Sequence, residues 1–150
     1  MKKNSIYIII LCFIWAGMLL GISFLEAPVK FTAPSLTLPI GLDVGRHVFQ
    51  AFNKVEIVFG TLLTILFIRT KLNIVMSFMF AFVVLLLILE CVWLLPVLDE
   101  RAITIIAGGM PEKDSPHILY ILFDAAKVVL LITIGVSSIR ELMKLIVDKN

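Results

Sequence analysis

The sequence predicts an all-α fold, a bundle of four transmembrane helices with both termini in the cytoplasm. Of its 150 residues, 61% are hydrophobic and only 16% are charged, whereas soluble domains contain about 45–50% apolar residues. The apolar residues form four runs, each able to cross a hydrocarbon core about 30 Å thick as a helix. Because these runs leave no room for a soluble domain of ordinary size, residues 1–150 are predicted to form a single membrane domain.

The first span, residues 5–25, is predicted to be a retained helix. Lys2 and Lys3 before an apolar run are also typical of a signal peptide, whose cleavage would leave three spans. The run has about 20 residues, whereas a signal-peptide core has roughly 7–15, and no Ala-x-Ala-like site ends it. Gly17 and Gly21 form a GxxxG pattern in this span. The pattern predicts close packing, either within the bundle or in a homodimer or with another membrane partner.

The connections between the spans differ in length. Only residues 69–71 separate the second span, 44–68, from the third, 72–98, so these helices are predicted to form an antiparallel hairpin. The segment 26–42 is too apolar for a solvated loop, and its three prolines exclude a continuous helix. It either folds over the outer end of the bundle as a lid or rests on lipid headgroups. The fourth span covers residues 117–139.

The distribution of charge sets the predicted orientation, because lysine and arginine are enriched at the cytoplasmic ends of spans. One side of the predicted bundle carries Lys2, Lys3, Arg69, Lys71, Arg140, Lys144 and Lys149. The other side mixes the basic residues Lys30, Arg46, Arg101 and Lys113 with the acidic residues Glu26, Asp43, Asp99, Glu100, Glu112 and Asp114. Both termini and the hairpin at 69–71 are therefore predicted to be cytoplasmic.

Several polar residues lie inside the spans, where lipid would not solvate them. In the fourth span, a spacing of three, four and three residues places one polar stripe on the helix. The second span opens with polar residues on one half of the helix, and the third span carries one acid, Glu90. The stripe of the fourth span is His117, Tyr120, Asp124 and Lys127, and the polar residues of the second are Arg46, His47, Gln50, Asn53, Lys54 and Glu56.

The deeper of these residues share one layer. At about 1.5 Å per residue they lie roughly 10–18 Å below the outer ends of their runs. A charge exposed to lipid there would cost about 2.5–3.5 kcal/mol, so we expect these groups to face inward and to pair. Three acids oppose two lysines, and the remaining carboxyl group, preferably Glu90, must pair with Arg46 or hold a proton. The predicted ligand or ion site is Asn53, Lys54, Glu56, Glu90, Asp124 and Lys127, with a mouth formed by Glu26, Arg46, His47, Gln50, His117 and Tyr120.

The polar layer predicts a membrane protein that binds a small ligand or an ion, with proton-coupled transport as one form of that function. The alternative is an accessory or assembly subunit that uses the polar network for helix packing. No catalytic residue is predicted, because no nucleophile elbow, P-loop or dinucleotide fingerprint is present. An enzyme acting on lipid at the outer face is a third, weaker hypothesis.

The sequence leaves the cofactor open. No metal site is predicted, although His47 and His117 lie where a metal or haem iron could bridge two helices. The expected partners are the lipid bilayer and a small molecule or ion. A formal net charge of +2 gives no reason to expect nucleic acid.

The segment GISFLEAPVKF at residues 21–31, with the polar start of the second span and the His117 start of the fourth, resembles small bacterial four-helix integral membrane proteins of unknown function. The likeness in hydropathy covers most of the chain, but the motif-like part is limited to residues 24–31 and the two helix starts. We expect a multi-pass protein of the inner (plasma) membrane. The resemblance implies no activity.

The predicted topology can be tested with reporter fusions. A reporter fused after Arg69 or at the C-terminus should be cytoplasmic, and one fused after Lys113 should be external, because the basic residues are enriched at the first two positions. Reporter activity on each side of the membrane measures this. An external C-terminus would overturn the topology.

Overall fold

The computed structural model describes residues 2–70, 73–110 and 116–147, and over these residues it contains four long helices and no strand. The helices are α1 (Lys3–Lys30), α2 (Leu38–Arg69), α3 (Ile74–Ile106) and α4 (Pro116–Val147). Each is long enough and apolar enough to cross a membrane. The predicted all-α four-helix bundle is confirmed.

The helices extend beyond the apolar runs and contain 28, 32, 33 and 32 residues. As predicted, no continuous helix runs through segment 26–42, although α1 continues through Pro28 and α2 has Pro39 in its first turn. A proline fits a first helical turn because its missing N–H would have no partner there. The connection between α1 and α2 is thereby shortened to residues 31–37. Five residues of the charge pattern lie outside the described part of the chain, namely Lys71, Glu112, Lys113, Asp114 and Lys149.

Two helices contain a π-helical segment just before a proline. The segment Leu20–Glu26 in α1 precedes Pro28, and the segment Glu90–Leu94 in α3 precedes Pro96. A proline inside an α-helix removes one backbone hydrogen bond, and its ring clashes with the carbonyl of the preceding turn. The wider π turn, with i→i+5 hydrogen bonds, gives the ring more room. Both helices therefore continue past their prolines.

The core lies mainly between α1 and α4, which have the most extensive contact of any two helices. At Gly135 of α4 there is no room for a side chain, because a Cβ atom would lie 2.9 Å from the Phe13 ring of α1. On the α2–α3 side, a Cβ at Gly60 would lie 3.2 Å from Leu87. The buried apolar residues of α1 and α4 are Ile8, Cys12, Trp15, Ala16, Leu19, Val128, Leu131 and Ile134.

The GxxxG pattern of α1 does not pack within the bundle. A Cβ atom added at Gly17 or Gly21 would meet nothing within 4 Å, and Gly17 is exposed. The expectation of packing against another helix of the same bundle is therefore wrong, since these glycines lie on the side of α1 that faces away from its neighbours. A homodimer or another membrane partner at this face stays a prediction.

Gly135 and Gly17 allow a matched test of the packing. We expect Gly135→Leu to lower the unfolding temperature, because overpacking a filled site costs about 1–3 kcal/mol. Gly17→Leu should leave the unfolding temperature of the monomer unchanged, because Gly17 is exposed and its Cβ atom would meet no described atom within 4 Å. Thermal unfolding and the oligomeric mass of both purified variants measure this. Equal destabilisation by the two substitutions would contradict the packing.

Candidate functional site

A buried ion cluster joins three helices at one level of the bundle. The Lys127 Nζ atom of α4 lies 2.7 Å from Glu56 Oε1 of α2 and 2.9 Å from Asp124 Oδ1, three residues earlier on α4. It also donates a hydrogen bond to Glu90 Oε2 of α3. All four side chains are fully buried. We call these four residues the acid–lysine cluster.

The remaining helix, α1, contributes to the cluster through Trp15. Its indole Nε1–H donates to Glu56 Oε1 at 3.0 Å, and the Trp15 side chain is fully buried in α1. Sequence reasoning did not assign Trp15 to the site. The signal was present, because a tryptophan N–H in the middle of a span needs a hydrogen-bond acceptor. All four helices therefore meet at the cluster.

The charges of the cluster do not balance. The expected inward position of Lys54 is wrong: its side chain is exposed on α2, because it lies two residues from Glu56 and so points to a different side of the helix. Arg46 is paired elsewhere, with Asp99. Within the described residues, Lys127 is thus the only cation in contact with Glu56, Glu90 and Asp124.

Several carboxyl oxygens of the cluster have no hydrogen-bond donor among the described residues. They are Glu56 Oε2, Glu90 Oε1 and both oxygens of Asp124, although Asp124 remains ion-paired with Lys127. Burying such atoms is unfavourable unless they are paired or carry a proton. The arrangement can therefore accept protons or a cationic ligand.

One oxygen from each of Glu56, Glu90 and Asp124 lies within 4.8 Å of the other two, a spacing that could hold a metal ion. Lys127 contacts an oxygen of each of these residues. The ammonium group therefore takes the central position that a metal would need.

Asn53, also predicted for the site, lies beside the cluster. Its side-chain amide and the Cys91 thiol of α3 exchange hydrogen bonds, with Nδ2 to Sγ at 3.2 Å and Sγ to Oδ1 at 3.3 Å. Asn53 is buried, and Cys91 follows Glu90 in the chain. This contact joins α2 to the start of the π-helical segment of α3.

A second polar network lies nearer the end of the bundle where α1 and α2 are connected, which we call the outer end after the predicted topology. Arg46 of α2 donates to both oxygens of Asp99 on α3, at 2.8 and 3.1 Å. Gln50 donates to the same carboxylate at 2.8 Å. His47 instead turns toward the Asp43 carbonyl oxygen, 2.8 Å away. Arg46 and Gln50 thus join α2 to α3, and His47 points elsewhere.

Between the outer end and the cluster lies a cavity of about 380 Å³, which we call the outer cavity. Of the residues predicted for the mouth, four line it and two, Glu26 and His47, do not. The predicted residues in its wall are Arg46, Gln50, His117 and Tyr120. Since His47 is absent from this wall, the structure does not bring the two histidines together around the cavity.

Tyr120 connects the outer cavity to the cluster. Its ring lines the cavity and packs edge-on against the Phe49 ring, with centroids 5.3 Å apart. It lies one helical turn before Asp124 on α4. That hydroxyl is buried and has no hydrogen-bond partner among the described residues. Tyr120 therefore lies between the cavity and the helical turn that carries Asp124.

The outer cavity is covered by the end of α1 and the residue after it. A Cβ atom at Gly41 would lie 2.5 Å from the Phe31 ring, and one at Gly45 would lie 2.8 Å from Lys30 Nζ. The two glycines, four residues apart on α2, therefore leave the space that Phe31 and Lys30 occupy. Of the two alternatives for segment 26–42, the contacts at Lys30 and Phe31 correspond to the lid.

No family model, curated protein or solved structure matches the chain. The resemblance to small bacterial four-helix membrane proteins consequently rests on the sequence pattern alone.

The cluster predicts that Lys127 is essential for stability. Lys127→Met should destabilise the fold by about 3–5 kcal/mol, because it leaves three buried carboxyl groups without their cation. Lys54→Met is the matched control, since it removes an exposed lysine from α2 and should have little effect. Thermal unfolding of the purified variants measures the difference. Equal unfolding temperatures for wild type and Lys127→Met would contradict this role of the ammonium group.

Proposed function

We propose that this chain is a multi-pass protein of the inner (plasma) membrane that binds a small ligand in the outer cavity and a proton or other cation at the acid–lysine cluster. Both termini are cytoplasmic in this proposal, so the cavity opens to the outside. A membrane protein with both a ligand site and a proton site could act as a component of proton-coupled transport. The supporting observation is the surplus of buried carboxyl groups over lysine at one level of the bundle.

The energetic argument for protons follows from the charge count. If all three carboxyl groups were ionised beside one ammonium, the buried cluster would have a net charge of two negative units. Such a charge is strongly unfavourable in a low-dielectric interior, and a neighbouring acid favours protonation. One or more protons are therefore shared among Glu56, Glu90 and Asp124, and they belong to the group as a whole.

Position supports coupling between ligand and proton. Tyr120 lines the cavity, its hydroxyl is buried, and it lies one helical turn from Asp124 of the cluster. A ligand that displaces the Tyr120 ring would also move its unpartnered hydroxyl relative to the carboxyl groups. Proton affinity and ligand affinity are then linked, and each changes the other by the same factor.

The competing proposal is an accessory or assembly subunit. Two observations favour it: the cluster joins all four helices, which suits a purely structural network, and Gly17 and Gly21 face away from the bundle. In this case the carboxyl groups determine helix packing, and the exposed glycines contact a membrane partner.

Infrared difference spectroscopy across a pH jump separates the two proposals. The proton-binding proposal predicts a carbonyl-stretch band from a protonated carboxyl group, and this band should change in Glu90→Gln while the unfolding temperature stays near that of wild type. Glu100→Gln, an exposed acid on the same helix, is the control and should leave the band unchanged.

If the network is structural, Glu90→Gln should instead lower the unfolding temperature, and no band should depend on Glu90. Glu56→Gln provides a second variant should Glu90→Gln fail to fold. A spectrum without any carboxyl band sensitive to either substitution would contradict proton binding at the cluster.

A further inference from the structure

Lys30 has an unusual position for a lysine at the end of a membrane helix. It is the last residue of α1, from where a lysine side chain ordinarily extends toward water. Here the side chain is only 12% exposed. It turns back into the wall of the outer cavity, with its ammonium group directly over Gly45.

The surroundings of the ammonium group are mainly apolar. Lys30 Nζ lies 5.5 Å from the centre of the Phe31 ring and 5.6 Å from that of Phe49. Its ion pair with Glu26 is long, at 3.4 Å, and Glu26 does not line the cavity. Ring faces stabilise a cation by a modest amount compared with a carboxylate in contact. The ammonium group can therefore accept an anion from the cavity side.

The remaining charges of the cavity wall favour an anion over a cation. The wall contains Lys30, Arg46 and His117 but one acid, Asp99. Both Asp99 oxygens already accept from Arg46, and one also accepts from Gln50. A cationic ligand would find no free carboxylate in the wall, whereas an anionic group would find the Lys30 ammonium.

The rest of the cavity suits an apolar chain. Its wall includes Phe24, Leu98 and Ile121 from three different helices. A volume of about 380 Å³ is within the range of roughly 300–1,000 Å³ that small-molecule sites occupy. A ligand of this site would therefore combine one charged end with an apolar body.

We propose that the outer cavity binds an amphiphile with an anionic head group, which pairs with Lys30 while its hydrocarbon tail lies along the apolar wall. The head group is a carboxylate or a phosphate, as in a fatty acid or an alkyl phosphate. This inference identifies the class of ligand that the outer cavity binds, and it rests on the proposed function, in which that cavity is a ligand site. Lys30 is the specificity-determining residue, and Gly45 provides the space for its ammonium group.

Three ligands with the same twelve-carbon tail test the proposal: laurate, dodecyl phosphate and dodecanol. Binding of each radiolabelled compound is measured on the full chain in phosphatidylcholine nanodiscs, with empty nanodiscs subtracted to remove partitioning into lipid. Saturable binding of an anionic ligand, with dodecanol at least about tenfold weaker, is expected because a charged hydrogen bond is worth about 1.5–3 kcal/mol. Whether laurate or dodecyl phosphate binds more tightly identifies the head group.

Lys30→Met should reduce the affinity for the anionic ligand about 10- to 100-fold and leave that for dodecanol unchanged. Gly45→Ala should also weaken binding of the anionic ligand, because the Cβ atom would lie 2.8 Å from Lys30 Nζ and displace the ammonium group. Lys30→Arg should retain binding, and Lys54→Met, which removes a lysine outside the cavity wall, is the control.

The proposal is overturned by any of three results: no saturable binding of either anion, no tighter binding of either anion than of dodecanol, or unchanged binding in Lys30→Met with its fold intact. These outcomes are independent of the infrared experiment on Glu90. Laurate binding without a Glu90-dependent band would contradict proton binding alone. A Glu90-dependent band without binding of either anion would contradict the amphiphile site alone.

Discussion

The structure depends on one interaction, the contact of the Lys127 ammonium group with three carboxyl groups inside the bundle. In a membrane, apolar side chains pack against lipid about as well as against each other, so apolar packing alone gives helices little preference in their rotation. A buried ammonium group is different, because it must be surrounded by acceptors. Glu56 and Glu90 can reach it only if α2 and α3 turn these residues toward α4. The hydrogen bond from Trp15 to Glu56 sets the rotation of α1 by the same requirement.

The outer end is organised by contacts of another kind. Gly41 and Gly45 make α2 narrow enough for Phe31 and Lys30 to lie against it, and the Arg46–Asp99 pair holds α2 to α3. These contacts surround a space and leave it open, whereas the side chains of the acid–lysine cluster are fully buried and in contact with one another. Tyr120 lines this space and lies one helical turn from Asp124 of the cluster. The bundle therefore has a compact polar centre and, above it, a region in which a ligand can be accommodated.

Much of this architecture could be predicted from the sequence. Hydropathy located all four helices, and the cost of charge in lipid implied that Glu56, Glu90, Asp124 and Lys127 face inward, as they do. Lys54 could not be placed so simply. Its neighbours on the helical wheel are polar, but its spacing of two residues from Glu56 places it on a different side of the helix, which is exposed.

The contribution of Trp15 and the inward turn of Lys30 depend on which helices are neighbours. Periodicity within one helix carries no information about that. The π-helical segments are also difficult to predict from the sequence. They arise from a balance between backbone hydrogen bonds and the clash of the proline ring, and no residue type strongly favours them. Sequence reasoning thus identified all four charged residues of the cluster but missed Trp15, which completes it from α1.

The two π-helical segments also affect how the outer ends of α1 and α3 face their neighbours. A π turn contains about one residue more than an α turn, so every residue beyond it is rotated by roughly 100° from its place on a regular helix. Lys30 lies beyond such a turn in α1, and Asp99 lies beyond one in α3. Lys30 and Asp99, two of the three charged residues in the wall of the outer cavity, are thus oriented by an extra residue deeper in their own helix. If either turn relaxed to regular α-helix, the outer part of that helix would rotate about its own axis, and the cavity would open or close without movement of the helix as a whole.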